Sequence, residues 1–127
     1  MDYGFIKRVD LSFDNTLLKV QDELKKEGFG ILTKIDVQAK FKEKLNIDFP
    51  KYQILGACNP RMAHESISAE WEIGLLLPCN VIVYEKDNSV WVGIIKPTRA
   101  MQSVKNDKLR EIAIGVEAKL KKVFENI

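Results

Sequence analysis

Two cysteines in similar settings are the residues of this chain with the widest range of chemistry. Cys58 lies in residues 55–60 (Leu-Gly-Ala-Cys-Asn-Pro), and Cys79 lies in residues 76–80 (Leu-Leu-Pro-Cys-Asn). A thiolate can act as a nucleophile, form a disulfide or bind a soft metal ion. A protonated thiol in a core behaves as a small apolar group. The two segments indicate a candidate region for ligand binding or redox chemistry, made of Cys58, Asn59, Pro60, Pro78, Cys79 and Asn80.

Cys58 is placed at the end of a predicted strand, directly before a predicted helix. The partial positive charge at a helix N-terminus lowers the pKa of a thiol, so this position predicts a reactive thiolate. The alternative is that Cys58 fills a tight corner between strand and helix as a small apolar residue. Cys79 has no activating neighbour in the sequence. A disulfide between the two would require Cα atoms within about 7 Å of each other.

A soft-metal site is a second interpretation of the two thiols. His64 would supply a third ligand to Cys58 and Cys79, and Glu65 a fourth. The spacing differs from the paired Cys-x-x-Cys units of structural zinc sites. We therefore predict no metal and no cofactor, and we interpret His64 as an exposed helix residue.

The asparagines beside the cysteines allow two interpretations. Asn59 followed by Pro60 predicts the start of a helix, because Asn is a good N-cap and Pro at the first position loses no hydrogen bond. Asn80 would bond backbone groups at the end of a strand. Alternatively, both amides line an anion- or ligand-binding pocket, to which Lys96 and Arg99 contribute charge.

The usual catalytic motifs are absent from the sequence. It contains no glycine-rich phosphate loop, no nucleophile elbow and no His-Glu-x-x-His pattern. A dyad of Cys58 and His64 would lack a third group to orient it. The sequence therefore favours a protein that is not an enzyme.

Composition indicates an ordinary globular protein. The 127 residues are 46% hydrophobic and 30% charged, which predicts a single domain over residues 1–127. Twenty basic and 18 acidic residues are interleaved, so we expect no nucleic-acid binding. No apolar run approaches the roughly 20 residues that span a bilayer, and the N-terminus does not resemble a signal peptide. We therefore expect no membrane association and a cytoplasmic protein with reduced thiols.

Hydrophobic periodicity predicts the element order β-α-β-(short α)-β-α-β-β-α. Residues 74–78 are ambiguous between a strand and an irregular connection. The short helix after Asp36 is expected to bury Val37, Phe41 and Leu45. The predicted strands cover residues 3–11, 30–36, 52–58, 79–85 and 90–96. The predicted helices run from residue 13 to Gly28, from Asp36 to residue 45, from Asn59 to about Trp71, and from residue 106 or 107 to the C-terminus.

This order predicts an α+β two-layer sandwich with a mixed or antiparallel sheet and helices on one face. The last two strands form a hairpin around Asp87 and Asn88. The opposite face is expected to be apolar, and a homodimer would cover it. Trp71 is interpreted as a core or interface residue. The residues assigned to the apolar face are Val81, Val83, Trp91, Ile94 and part of residues 75–77.

Four segments together resemble the domain of unknown function 302 family. They are residues 28–31 (Gly-Phe-Gly-Ile), 55–60, 76–85 and 96–101 (Lys-Pro-Thr-Arg-Ala-Met), and the resemblance covers essentially the whole chain. It implies a small α+β domain, often dimeric, similar to the β-α-β(4)-α arrangement of TATA-binding-protein-like folds. A shared fold is not evidence for DNA binding. His64 occupies a position that is often not histidine in that family.

The sequence leaves three functional hypotheses. The first is a non-enzymatic module that binds a small ligand, or senses through a thiol, at the Cys58 and Cys79 segments. The second is a redox or soft-metal protein that uses both thiols. The third is a structural homodimeric domain that binds partners through its open sheet face.

Overall fold

The computed structural model describes residues 1–127 as a five-stranded sheet with five α-helices. All neighbouring strands are antiparallel, in the order β1-β5-β4-β3-β2. The predicted α+β class is confirmed, and so is the predicted order of elements, except that one short helix at Pro97–Ala100 was not predicted. The elements are β1 (Gly4–Val9), α1 (Phe13–Lys26), β2 (Gly30–Asp36), α2 (Val37–Leu45), β3 (Tyr52–Cys58), α3 (Pro60–Ala69), β4 (Cys79–Lys86), β5 (Ser89–Ile95), α4 (Pro97–Ala100) and α5 (Asp107–Glu125).

Local sequence signals account for the turns and helix starts. Asp87 and Asn88 have φ angles of 53° and 59°, the left-handed conformation that a two-residue hairpin turn of type I′ requires. The hairpin between β4 and β5 was predicted at these residues and is confirmed. Asn106 caps α5, since its side-chain oxygen accepts a hydrogen bond from the Leu109 N–H at 3.0 Å.

One face of the sheet is covered by α1 and α5, which pack on it to form the core. Val81 and Val83, predicted on the opposite face, lie in this core, as does Ile94. That assignment was wrong because successive strand residues alternate between faces, so an error of one position inverts the whole strand. The main buried residues are Leu55, Ala57, Cys79, Val81, Val83, Val92 and Ile94 from the strands and Val20, Leu24, Leu120 and Val123 from the helices.

The other face of the sheet, here called the open face, has an apolar middle made of residues other than most of those predicted, and it also carries Arg8, Thr33 and Asn80. Its aromatic rings stack in a row, with centroids 5.3 Å apart between Tyr52 and Tyr84 and 6.5 Å apart between Tyr84 and Trp91. Trp91 is the only residue of these three that the sequence assigned to this face. The remaining apolar members are Ile6, Ile35, Ile54 and Ile82.

Two helix predictions were wrong. Helix α2 buries none of its residues, because it lies in the connection between β2 and β3, where Phe41 packs edge-on against Phe49 with centroids 5.0 Å apart. Helix α3 ends at Ala69, and a 3₁₀ turn (Trp71–Leu76) follows it. Trp71 is 78% exposed and is not a core residue. None of the helices combines the length and the hydropathy needed to cross a lipid bilayer.

Candidate functional site

A cavity of about 250 Å³ lies between the ends of β3 and β4 and the helices α3 and α5. Sixteen residues line it, of which twelve are hydrophobic, and none of them carries a charge. The lining residues can therefore offer a ligand apolar contacts and sulfur atoms, but no charged group. The lining residues are Phe29, Leu32, Ala57, Cys58, Asn59, Met62, Ala63, Ser66, Ile67, Leu77, Pro78, Cys79, Pro97, Met101, Ala113 and Val116.

Strand pairing brings the two cysteine segments together. Ala57 of β3 lies opposite Cys79 of β4, and Cys58 is the next residue along β3. Both thiols line the cavity, and both are free. Four of the six predicted site residues therefore meet at one place, namely Cys58, Asn59, Pro78 and Cys79.

The remaining two predicted residues lie outside the cavity. Asn80 is exposed and lies opposite Gly56 on the open face, so it points away from Cys79. Pro60 is exposed at the first position of α3, where it helps to start the helix. The predicted pocket with two converging amides is therefore wrong.

The Asn59 side chain holds the start of α3 against the end of α1. Its Oδ1 accepts a hydrogen bond from the Met62 N–H at 3.3 Å, which confirms the predicted N-cap, and its Nδ2 donates to the Glu27 carbonyl at 3.3 Å. Gly28 leaves room for this contact, since its φ is +83° and a Cβ there would stand 3.0 Å from Nδ2. The Asn59 amide therefore stabilises the start of α3, which forms part of the cavity wall.

The electrostatics of the thiols differ from the sequence expectation. The sequence predicted that the helix N-terminus would lower the pKa of the Cys58 thiol. In the structure, burial raises this pKa. Burial, with a smaller contribution from the adjacent Cys58, raises the pKa of Cys79 to about 11. An apolar environment disfavours a thiolate, and Asn59 already bonds an N–H of the helix start that would have stabilised one. Both thiols are therefore protonated and weakly nucleophilic at neutral pH.

The metal set of Cys58, Cys79 and His64 is not assembled. His64 and Glu65 are exposed on α3 and do not line the cavity, which confirms His64 as an exposed helix residue. No three side chains among His, Cys, Asp and Glu are placed to hold a metal ion. The expected charges are also directed elsewhere, because the Lys96 ammonium lies 4.9 Å from the Phe5 ring centroid and Arg99 pairs with Asp2 at 3.8 Å.

The sequence reasoning missed twelve of the sixteen lining residues. Three of these twelve carry sulfur or a hydroxyl group, namely Met62, Met101 and Ser66. The Ser66 hydroxyl is buried and donates to the Met62 carbonyl at 2.8 Å, so its proton is committed to the helix. Met101 ends the segment of residues 96–101 that carries part of the family resemblance, and this was the signal that could have identified it. Met62 had no such signal beyond its position on the apolar side of α3.

Comparison with known proteins agrees with this architecture. The family model described as "Domain of unknown function DUF302" matches residues 5–127. A solved structure, the crystal structure of uncharacterized conserved protein DUF302 from Bacillus stearothermophilus, matches with a TM-score of 0.92 at 29% sequence identity, over 99% of this chain and 98% of that chain. No curated protein matches the chain. Since the family model spans nearly every residue, including the whole cavity, the chain belongs to the DUF302 family.

Proposed function

We propose that the protein binds a small, neutral, mainly apolar molecule in the cavity between β3, β4, α3 and α5. The observation that carries this proposal is the cavity of about 250 Å³ with twelve hydrophobic residues among its sixteen. Two of the lining side chains, Leu32 and Ile67, are 65% and 37% exposed. They mark the side from which a ligand enters.

The lining residues restrict the charge and size of the ligand. A charged group would lose its hydration and meet no counter-ion, which is strongly unfavourable. One N–H of the Asn59 amide and the Ser66 hydroxyl already donate to carbonyl groups within the protein. An apolar cavity of about 150 Å³ accepts benzene, so this cavity suits a molecule of roughly ten non-hydrogen atoms.

A substitution that fills the cavity is expected to weaken ligand binding. Naphthalene is a neutral probe of this size, and we expect it to bind the reduced, metal-free protein and to raise its melting temperature. Ala63 lines the cavity, so Ala63→Leu is expected to weaken naphthalene binding at least about tenfold, because the added atoms occupy the same volume. Calorimetric titration measures the affinity.

The matched control is Ala118→Leu, the same change at an exposed position of α5, which is expected to leave naphthalene binding unchanged. The charged analogue 2-naphthoate tests the electrostatic argument and is expected not to bind. Equal affinities of the wild type and Ala63→Leu would contradict the proposal, as would a preference for naphthoate.

The second hypothesis of the sequence, redox use of the thiols, has weaker support. Both thiol pKa values are raised, and the attacking species in thiol–disulfide exchange is the thiolate. Two free, protonated thiols fit a protein of the reducing cytoplasm, which we propose as its location.

Self-association is a second candidate function, supported by the open face. The stacked rings of Tyr52, Tyr84 and Trp91 and the surrounding isoleucines form an apolar surface that a second copy of the chain would cover. We expect the wild type to sediment as a dimer at micromolar concentration. Tyr84→Glu is expected to give a folded monomer, because a carboxylate would be buried without a partner.

The control for self-association is Ile114→Glu, since Ile114 is 57% exposed on α5, in the helical layer. This variant is expected to sediment as the wild type does. A monomeric wild type would overturn the assignment of the open face, and so would a dimer that survives Tyr84→Glu.

A further inference from the structure

A second cavity lies beside the one proposed to bind the ligand. The ligand-binding cavity, here called the first cavity, has a volume of about 250 Å³, and the second cavity has a volume of about 320 Å³. Met101 and Ala113 line both of them. This pair of residues therefore lies between the two spaces, and a ligand that extended from one cavity into the other would have to pass it.

The Met101 side chain forms most of this partition. Ala113 ends at its Cβ, whereas methionine is a long, unbranched side chain that fills irregular gaps. Met101 is only 8% exposed, and it packs with Ile73, Leu109 and Ala113 in a small hydrophobic cluster separate from the main core. Its thioether chain therefore closes the passage between the cavities.

Hydrogen bonds hold Met101 in this position. The Thr98 N–H and hydroxyl both donate to the Glu117 Oε1, at 3.1 Å and 2.6 Å, and this contact ties α4 to α5. The Met101 N–H donates to the Pro97 carbonyl at 2.9 Å, which fixes the residue at the end of α4. Met101 is thereby held against α5, the helix that carries Ala113.

The lining of the second cavity suits the apolar end of a longer ligand. Five of its eight lining residues are hydrophobic. Arg110 is the one charged residue among them, and its guanidinium pairs with the Asp107 carboxylate at 3.1 Å. An alkyl chain gains about fourfold in affinity for each methylene group that leaves water. The closed passage, and not the chemistry of the second cavity, therefore limits the ligand.

We propose that Met101 sets the maximum length of the ligand by closing the passage from the first cavity to the second. This inference rests on the proposed binding of a neutral, apolar molecule in the first cavity. With the passage closed, the buried part of the ligand is restricted to about ten non-hydrogen atoms, the size that the first cavity holds. The ligand class is therefore short apolar molecules, and chains as long as the acyl chains of lipids are excluded.

The test is the affinity of linear primary alcohols of increasing length, from n-hexanol to n-dodecanol, measured by calorimetric titration. For the wild type, we expect the affinity to rise about fourfold per methylene group up to about n-nonanol and then to level off. Met101→Ala removes the partition, and n-dodecanol is expected to bind this variant at least about tenfold more tightly than it binds the wild type. Met101→Leu conserves volume and is expected to keep the wild-type limit.

Methyl NMR locates the bound chain. Val104 lines the second cavity but not the first, and Ile67 lines the first but not the second. We expect n-dodecanol to shift the Ile67 methyl signals in the wild type and in Met101→Ala, and the Val104 signals in Met101→Ala alone. The matched control is Met62→Ala, the same deletion at a residue that lines the first cavity but not the second. It adds volume without opening the passage and is expected to leave the Val104 signals unchanged.

The possible outcomes separate this inference from the proposed function. Circular dichroism establishes folding, and Met101→Val, a smaller deletion with a smaller expected gain, keeps the test decisive if Met101→Ala unfolds. A Val104 shift in the wild type would overturn the inference, as would a length limit that is the same with and without the Met101 side chain. A wild type that binds neither naphthalene nor n-hexanol would instead overturn the proposed function, and this inference with it.

Discussion

Gly56→Ala is expected to lower the free energy of unfolding by about 3 kcal/mol, at the upper end of the usual range for overpacking. Gly56 is buried in β3, two residues before Cys58. A Cβ at this position would overlap the Thr33 Oγ1 and would lie 2.7 Å from the Pro78 Cγ. Neither neighbour is the far end of a flexible side chain, since Thr33 is short and β-branched and Pro78 is a ring fused to the backbone. The strain would therefore be carried by β2 and by the wall of the cavity.

Urea denaturation of the two proteins measures this effect. The matched control is Gly30→Ala on the neighbouring strand, because a Cβ there would meet no atom within 4 Å. That change is expected to be neutral or slightly stabilising. Thr33→Ala in the Gly56→Ala background removes the closest contact and is expected to restore part of the loss. Equal stability of Gly56→Ala and Gly30→Ala would refute the packing argument.

Raising the pH from about 8 to about 11 is expected to remove about 3 kcal/mol of stability through Cys79 alone. The folded protein retains the Cys79 proton because burial raises the pKa of this thiol to about 11. The unfolded chain loses the same proton near the ordinary thiol pKa of about 8.5. The contribution is therefore complete below about pH 8.5 and is lost as the pH rises through the folded-state pKa.

The measurement compares metal-free wild type with Cys79→Ala, which cannot titrate at this position. The stability difference between them is expected to shrink as the pH rises, while the titration of lysines and tyrosines affects both proteins alike. Cys58→Ala is the control, since Cys58 is only half-buried and its thiol is expected to contribute a smaller pH-dependent loss. Parallel stability curves for the wild type and Cys79→Ala would show that Cys79 titrates normally in the folded state.

Features that depend on a few consecutive residues were predictable from the sequence. Asn59 was identified as a helix cap and Asp87-Asn88 as a hairpin turn because each signal acts within about four residues. The order of the elements followed from hydrophobic periodicity. The same segments that contain Cys58 and Cys79 also indicated the DUF302 family, which the match to residues 5–127 confirms.

Features that depend on contacts distant in the chain were not predictable in the same way. The face occupied by Val81 and Val83 depends on strand register, and the burial of α2 depends on whether another element lies beneath it. The predicted direction of the Cys58 pKa shift was also wrong. The sequence shows that Cys58 precedes a helix N-terminus, but it does not show the apolar surroundings that raise the pKa.

The sequence by itself therefore determined most of the elements, with their caps and turns, since these follow from local bonding and periodicity. Only the tertiary structure decided that Cys58, Cys79, Met62 and Met101 surround one cavity while Asn80 and His64 lie outside it. That grouping joins residues up to 43 positions apart through the pairing of β3 with β4 and the packing of α3 and α5. It is set by the register and packing of whole elements, which no local pattern specifies.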